Sequence, residues 1–269
     1  MVARVLDVEP SSVIVERSGG VVTFTINRPE KKNAANAAVW AGLLEVLDEV
    51  RSRRDDRVLV ITGAGGEFCS GADITDPAGV SGDPDTPHVL QMELLGHVIL
   101  TLRQLPKPTV AKIRGVAAGA GLSLALGCDL TLAEQSARLS VIFSRRGLSL
   151  DCGASWLLPR LVGLHRAKEL AFFGDMVSAA DAAGMGLVNR VVPDEELDAA
   201  VDEWTARLAA GPPLALSMTK RLLEDGTNVS MAQALQSEAW AQALNFHSED
   251  TAEAMRAFVE RRPPSFRGR

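Results

Sequence analysis

The sequence predicts an α/β protein with a helical C-terminal subdomain. Over roughly the first two thirds, short apolar runs alternate with segments of helical periodicity, and beyond about Asp194 only helical patterns follow. Such alternation is typical of sequential strands gathered into one or two sheets with helices packed on them. We therefore expect an α/β core over residues 1–194 and a helical subdomain over residues 195–269. The 269 residues suffice for a complete hydrophobic core.

The first elements are a hairpin, a helix and a buried strand. The β-branched runs Ser12–Arg17 and Val21–Asn27 flank Ser-Gly-Gly, which indicates a hairpin. Apolar residues recur at helical spacing from Asn36 to Arg53, and Asn36 is a suitable N-cap. The run Val58–Thr62 is almost wholly apolar, as expected of a strand buried on both faces.

A polar loop rich in Pro and Gly, Asp76–Pro87, comes next, and we expect it to be mobile. We predict a helix at Val89–Leu105, a strand at Thr109–Ile113, a short helix after a glycine-rich turn, and a strand at Leu130–Ala133. The C-terminal subdomain is predicted to contain four amphipathic helices, at Glu195–Ala210, Pro213–Asp225, Met231–Phe246 and Glu249–Arg261.

The composition excludes several classes of function. A formal net charge of −6 gives no basic face for nucleic acid. No run of about 18 apolar residues exists to span a membrane, and Met1–Ser12 lacks the apolar core of a targeting signal. The three cysteines have no C-x-x-C spacing, which argues against a disulfide framework or a zinc site. We expect a protein of a reducing compartment, the cytoplasm, without a metal.

Two glycine-rich turns are the most informative feature of the chain. One follows the apolar strand and runs to Ile74, and the other lies at Gly115–Asp129. Glycine lets backbone approach a ligand closely, so two such turns could direct free N–H groups at one oxygen, as acyl chemistry requires. Neither turn fits G-x-G-x-x-G or a P-loop. The segment Gly121–Ala125 is one residue short of G-x-S-x-G, which leaves a serine hydrolase open.

Five segments together resemble the crotonase superfamily of enoyl-CoA hydratases and isomerases, and the likeness extends in order from about residue 11 to the C-terminus. They are Ile26–Ala34, Phe68–Ile74, Gly115–Gly121, Gly147–Gly163 and Ala179–Val188. The resemblance implies a crotonase fold, an α+β spiral of repeated ββα units that form two packed sheets. It also implies a homotrimer or a dimer of trimers, in which Phe258 and Arg261 reach an adjacent subunit.

The resemblance further implies an acyl-CoA thioester as substrate, with no cofactor other than the coenzyme A that the substrate carries. The thioester oxygen would lie between the backbone N–H groups of Ala72 and Ala120. Alanine at position 120, where family members often have glycine, still supplies the N–H if its φ stays negative. The implied contacts of coenzyme A are Lys31, Lys32, Ala34, Asp73, Ile74 and Gly121.

The choice of reaction depends on carboxylates. Hydratases of this superfamily position water with two glutamates, and the corresponding residues here are Ser123 and Phe143, which cannot take a proton. Asp151 lies where double-bond isomerases and ring-epoxide isomerases of phenylacetyl-CoA breakdown carry their single carboxylate. The resemblance therefore favours an isomerase. A hydratase that uses Asp151 and water, a thioester hydrolase and a non-catalytic acyl-CoA-binding protein remain alternatives.

Asp151 also has a purely structural interpretation, as the N-cap of a helix predicted at Cys152–Leu161. A helix N-terminus would lower the pKa of Asp151, whereas an apolar pocket would raise it. The residues predicted to line that acyl pocket are Ser123, Phe143, Leu148, Trp156 and His97.

Overall fold

The structure is a computed structural model that describes residues 4–5, 12–76 and 79–269. Most of Met1–Ser12, and with it the prediction about a targeting signal, lies outside the described residues. The strands are β1 (Arg4–Val5), β2 (Val13–Ser18), β3 (Val21–Ile26), β4 (Val58–Gly63), β5 (Thr109–Ile113), β6 (Val116–Ala118), β7 (Leu130–Glu134), β8 (Arg138–Ser140), β9 (Val177–Ser178) and β10 (Arg190–Val192). The α-helices are α1 (Ala37–Ser52), α2 (His88–Arg103), α3 (Ala120–Gly127), α4 (Ala154–Phe173), α5 (Ala179–Met185), α6 (Leu197–Ala209), α7 (Pro213–Gly226), α8 (Met231–Phe246) and α9 (Glu249–Glu260).

The larger sheet has the strand order β1-β2-β3-β4-β5-β7-β10. β2 and β3 form the predicted hairpin, with Gly19 and Gly20 both at positive φ in its turn. From β3 onward the neighbouring strands are parallel. The carboxyl ends of β3, β4 and β5 therefore lie at one edge of the sheet, and the three loops that follow them carry the candidate site.

A smaller sheet of β6, β8 and β9 completes the two-sheet architecture that the resemblance implied. β6 and β8 are parallel, and β8 and β9 are antiparallel. The sequence analysis missed all three strands, because two or three residues are too few to show an alternating pattern. β6 leads directly into α3 through Gly119, so this sheet positions the second glycine-rich turn.

β4, in the middle of the larger sheet, is buried on both faces. Leu59 and Ile61 of β4 belong to a large core with α1 and α2, whereas Val58 and Val60 pack in a second cluster against α6. Alternate side chains of a strand point to opposite faces, which explains the wholly apolar sequence of β4. The side chain of Asn36 accepts a hydrogen bond from Val39 N, so the predicted N-cap of α1 is confirmed.

The C-terminal region is helical as predicted, and the ends of α6–α9 lie within two residues of the predicted bounds. α6 packs on the sheet, whereas α7 and α8 contain no fully buried residue. The division at residues 194/195 stays a prediction. No helix in the described ranges is long and apolar enough to cross a membrane.

The described part of the loop at 76–87 is attached to α2 by Gln91. The side-chain oxygen of Gln91 accepts from Val80 N at 3.2 Å, and its amide nitrogen donates to Thr86 O at 3.0 Å. Residues 77 and 78 lie outside the described ranges, and the mobility of the loop stays a prediction.

Candidate active site

The two glycine-rich turns lie side by side. Cys69 N donates to Val116 O at 3.0 Å, and Ala118 N donates to Cys69 O at 3.0 Å. A Cβ atom placed on Gly71 would be 3.3 Å from Ala118 O and 4.0 Å from Ala120 N. A side chain at position 71 would therefore contact the backbone at the start of α3, so Gly71 lies next to that turn.

Both predicted oxyanion donors have free N–H groups. Ala35 N donates to Gly71 O at 2.8 Å, and Asp73 N donates to Ala35 O at 2.9 Å. These two bonds flank Ala72, so its own N–H faces away from Ala35. Ala120 is the first residue of α3, where an N–H has no acceptor within the helix. Among the described residues, neither N–H has a hydrogen-bond partner.

Glycines set the geometry of the second turn. Gly119 adopts φ 52°, so that Ala120 keeps the negative φ of an ordinary helical residue, as the predicted role of Ala120 requires. A Cβ atom on Gly121 would lie 2.3 Å from Cys69 O and 2.8 Å from Cys69 Sγ. Only glycine at position 121 therefore allows α3 to pack against the first turn at this distance.

Asp151 lies in a tight turn before α4. Ala154 N donates to Asp151 O at 3.0 Å, and α4 begins at Ala154 with Gly153 as its N-cap. No side chain caps this helix, so the interpretation of Asp151 as an N-cap is wrong. Cys152 at φ 48° and Gly153 at φ 77° separate Asp151 from the helix, and the sequence periodicity did not reveal this left-handed turn.

The carboxyl group of Asp151 is partly desolvated and incompletely paired. Its Oδ1 atom is buried and has no hydrogen-bond partner among the described residues. Burial raises the pKa of Asp151, and a hydrogen bond from the Cys152 thiol offsets this only in part. Desolvation of the Asp151 carboxyl group, which raises its pKa, thus outweighs the effect that lowers it. A buried oxygen without a partner is typical of a group whose partner is supplied by a ligand.

Ser123 and Phe143 lie beside the same turn. Ser123 is 2% exposed, and its hydroxyl donates to Gly119 O at 3.2 Å and lies 3.5 Å from Asp151 O. Ring atoms of Phe143 lie 4.0 Å from the position that a Cβ atom on Gly119 would take. The structure thus brings Ser123, Phe143 and Asp151 together around the second turn, with Asp151 as the only acid of the three.

The remaining predicted pocket residues differ in position and exposure. Leu148 N donates to Phe143 O at 3.1 Å, so Leu148 lies beside Phe143. His97 lies on the exposed face of α2, and Leu148 is 57% exposed. Trp156 lines a cleft of about 450 Å³ between α2, α4 and α7, where the Arg160 guanidinium lies 3.9 Å from the centre of the indole ring. The lining of that cleft includes Gly153 but neither oxyanion alanine.

Of the six predicted coenzyme A contacts, Gly121 is buried in α3 against Cys69. The other five lie in segments 31–34 and 73–74, which form one surface next to Ala72. Arg28 organises it, because its guanidinium pairs with Asp73 at 2.9 Å and donates to Ala34 O. Burial disfavours the anion of Asp73, but hydrogen bonds from Thr75 and Arg28 outweigh it, so the pKa of Asp73 falls to about 2. The exposed members of this surface are Lys31, Lys32 and Ile74, and Ile74 is 79% exposed.

The sequence analysis missed two residues that hold these loops. Asn33 is fully buried at φ 56°, and its amide nitrogen donates to Ala64 O at 2.7 Å and to Glu67 O at 2.6 Å. Glu67 accepts from Val116 N at 2.5 Å. The tolerance of asparagine for positive φ was an available signal for Asn33, whereas nothing in the sequence indicates the partner of Glu67. In the described ranges, no three His, Cys, Asp or Glu residues form a group that could hold a metal.

Comparisons with known proteins agree with this geometry. The family model for enoyl-CoA hydratase/isomerase matches residues 16–269. The chain is 38% identical over 256 residues to the 1,2-epoxyphenylacetyl-CoA isomerase of Escherichia coli, covering 93% of this chain and 96% of that protein. It is 39% identical over 257 residues to a Rhodobacter capsulatus protein named "Probable enoyl-CoA hydratase", covering 94% and 97%. The crystal structure of an enoyl-CoA hydratase from Bacillus anthracis superposes with a TM-score of 0.90 at 31% identity, covering 96% of this chain and 100% of that one.

Proposed function

The chain belongs to the enoyl-CoA hydratase/isomerase family, and within that family of enzymes we propose that it is an acyl-CoA isomerase with Asp151 as its single acid/base. The observation that carries the proposal is the state of this carboxyl group. Asp151 has a buried, unpartnered oxygen and a raised pKa, and Ser123 and Phe143 beside it cannot exchange protons at neutral pH.

In the proposed reaction, the carboxylate of Asp151 removes a proton from the carbon next to the thioester carbonyl. The negative charge that develops on the thioester oxygen is stabilised by the N–H groups of Ala72 and Ala120, and a donor of this kind contributes about 3–4 kcal/mol. Asp151 then returns the proton two carbons away, which shifts the double bond without net gain or loss of atoms. The Escherichia coli relative is named for a ring-epoxide substrate, so the proposed substrates include ring-epoxide acyl-CoA esters.

Hydration is the second candidate, and the relative named as an enoyl-CoA hydratase favours it. Addition of water needs one group to deprotonate water and one to protonate carbon. With Ser123 and Phe143 in place of acids, Asp151 would have to perform both steps. A serine-dependent thioester hydrolase is disfavoured, because the Ser123 hydroxyl is buried and donates to Gly119 O.

We extend the proposal to the ligand and to assembly. Coenzyme A would lie on the surface formed by Lys31, Lys32 and Ile74, without a metal or redox cofactor. α8 supports a homotrimer or dimer of trimers, because it contains no buried residue in the chain alone, and Trp240 and Leu244 on it are 68% and 60% exposed. The three cysteines, all free and buried, fit the reducing cytoplasm.

The test is a proton-exchange experiment. The purified protein and its Asp151→Asn variant are incubated in D2O with a saturated acyl-CoA and with a 3-enoyl-CoA, and the products are followed by mass and ultraviolet absorbance. We expect the wild-type protein to incorporate deuterium or shift the double bond, and the variant to lose both while it still binds acyl-CoA.

Other products would contradict the isomerase. Crotonyl-CoA is therefore incubated in parallel: addition of water to it, without proton exchange on the other substrates, would establish the hydratase. Release of free coenzyme A would establish a thioester hydrolase. If neither protein changes any substrate although both bind it, the chain is a binding protein.

A further inference from the structure

Glu67 connects three loops of the site. Its carboxylate accepts from Val116 N at 2.5 Å, which ties the first glycine-rich turn to the start of the second. Its other oxygen lies 3.4 Å from Lys32 Nζ, on the surface predicted for coenzyme A. Its backbone carbonyl accepts from the buried amide of Asn33 at 2.6 Å. One residue thus touches the coenzyme A loop and both oxyanion turns.

The backbone at Gly115 lies close to the Glu67 carboxylate. A Cβ atom on Gly115 would lie 2.3 Å from Glu67 Oε2 and 2.4 Å from Gly66 O, so glycine at position 115 leaves space for both the carboxylate and the neighbouring backbone. The neighbouring Gly115 N donates to the Glu134 carboxylate at 2.8 Å. Two consecutive amides at the base of the second turn are therefore each bound by a carboxylate, and hydrogen bonds to ionised acceptors are about twice as strong as neutral ones.

The contact between Glu67 and Val116 is connected to the predicted oxyanion donors through successive backbone contacts. From Glu67 and Val116 the two turns continue in register, through the Cys69 hydrogen bonds to Val116 and Ala118, to the approach of Gly71 to Ala120 N. Glu67 therefore contributes the first of three successive links that set the spacing between the Ala72 and Ala120 N–H groups. Catalysis by such donors requires that they be held in place before the charge develops.

We propose that Glu67 is a positioning residue of the oxyanion hole, acting through Val116 rather than on the substrate. This inference rests on the proposed function. It implies that the Glu67 side chain matters for binding a thioester enolate and much less for binding an acyl-CoA that stays neutral. Glu67 also contacts Lys32. Loss of that ion pair should change binding of the enolate and of a neutral acyl-CoA to the same extent.

The experiment compares two ligands in matched variants. Acetoacetyl-CoA reports enolate formation through its near-ultraviolet absorbance, and butyryl-CoA reports binding of a neutral thioester by calorimetry. Glu67→Asp keeps the charge but withdraws it from Val116 by one methylene, and Glu67→Gln keeps an acceptor at the original reach without the charge. Glu67→Ala removes both, and Glu45→Gln, on the exposed face of α1, is the distant control.

We expect Glu67→Asp and Glu67→Ala to weaken enolate binding relative to butyryl-CoA by about tenfold, a fraction of the loss of a whole oxyanion donor. Glu67→Gln should stay within about threefold of the wild type, because its amide oxygen still accepts from Val116 N. If Glu67→Ala does not fold, the comparison of Glu67→Asp with Glu67→Gln still tests the proposal.

Equal loss of both ligands in Glu67→Asp would overturn the proposal and assign Glu67 to general stability or to coenzyme A binding. No change in either ligand would overturn it as well. If the wild-type protein binds butyryl-CoA but forms no enolate, the proposed function itself is wrong, and the role of Glu67 is wrong with it.

Discussion

The Ser123 hydroxyl lies 3.5 Å from the backbone carbonyl oxygen of Asp151 and donates to Gly119 O at 3.2 Å. A residue of α3 thus lies between the turn that presents the Ala120 N–H and the turn that carries the candidate base. The resemblance assigns an acid of hydratases to position 123, and the serine found here is a small group that contacts the backbone on both sides.

We expect Ser123→Ala to reduce double-bond isomerisation by no more than about tenfold, because it removes one modest hydrogen bond and no reacting group. The measurement is kcat and KM with a 3-enoyl-CoA, with Asp151→Asn as the matched inactive control. A loss as complete as that of Asp151→Asn, together with thioester cleavage that the wild type shows and Ser123→Ala lacks, would restore the serine hydrolase.

The raised pKa of Asp151 predicts the pH dependence of exchange. The base is the carboxylate, so the rate of deuterium uptake should rise with pH and reach half its plateau above the ordinary value of 3.8. Cys152→Ala removes a hydrogen bond that stabilises the anion, so the midpoint should move higher still. A midpoint at or below 3.8 in the wild type would show that desolvation does not control this group.

Glycine at position 121 predicts a strong effect of one methyl group. Gly121→Ala would place a Cβ atom 2.3 Å from Cys69 O, so the two turns must separate and the Ala120 N–H must move. We expect a loss of isomerisation of about 100-fold, as for removal of one oxyanion donor, together with lower thermal stability.

The matched control is Gly127→Ala in the same helix, where the nearest atom would be Leu102 Cδ2 at an ordinary 3.4 Å. This variant should keep activity near the wild-type level. Equal activity of the two variants would show that the close approach of Gly121 to Cys69 has no role in the site.

Local sequence patterns predicted individual helices and strands, whereas the candidate site residues were predicted only from the family resemblance. Helical periodicity predicted α1, β-branched runs around Ser-Gly-Gly predicted the hairpin, and an apolar run predicted β4, because these elements bury side chains on defined faces. The roles of Ala72, Ala120 and Asp151 came from resemblance and stay predictions. The structure places Gly71, next to Ala72, near Ala120, and it leaves the N–H groups of both alanines without a partner among the described residues.

The sequence failed where a few backbone angles decide the outcome. Cys152 and Gly153 adopt left-handed conformations, so α4 begins only at Ala154. Its N-cap is therefore Gly153 and not Asp151. Such a turn involves two residues and leaves no periodic signal. Likewise the contact between Glu67 and Val116 joins residues 49 apart, and only the tertiary fold reveals it.

The ion pair of Asp73 with Arg28 predicts a pH-dependent contribution to stability. The folded pKa of Asp73, about 2, is below its ordinary value of 3.8, so the contribution is present above 3.8 and is lost as pH falls toward 2. Asp73→Asn should lower the free energy of unfolding by about 1–3 kcal/mol at pH 7, and by less near pH 3.

Urea unfolding of both proteins at the two pH values measures this difference, with Asp48→Asn on the exposed face of α1 as control. A difference that does not shrink on acidification would mean that the Asp73 carboxylate is not what stabilises this loop.

The proposed assembly would use the exposed face of α8. Trp240 and Leu244 are one helical turn apart and 68% and 60% exposed, so they form an apolar face that the chain itself leaves uncovered. Covering it with another copy would remove both side chains from water, at about 25 cal/mol per Å² of apolar surface. A charge there should therefore oppose association. We expect Trp240→Glu and Leu244→Glu to sediment as smaller species than the wild type. Gln242→Glu, which adds the same charge about half a turn away from Trp240, should assemble normally.

Because monomers would keep Ala72, Ala120 and Asp151 intact, any loss of activity on dissociation should appear mainly in KM, as expected if Phe258 of one copy contacts the coenzyme A held by another. A wild-type protein that sediments as a monomer would contradict both the trimer and this role of Phe258.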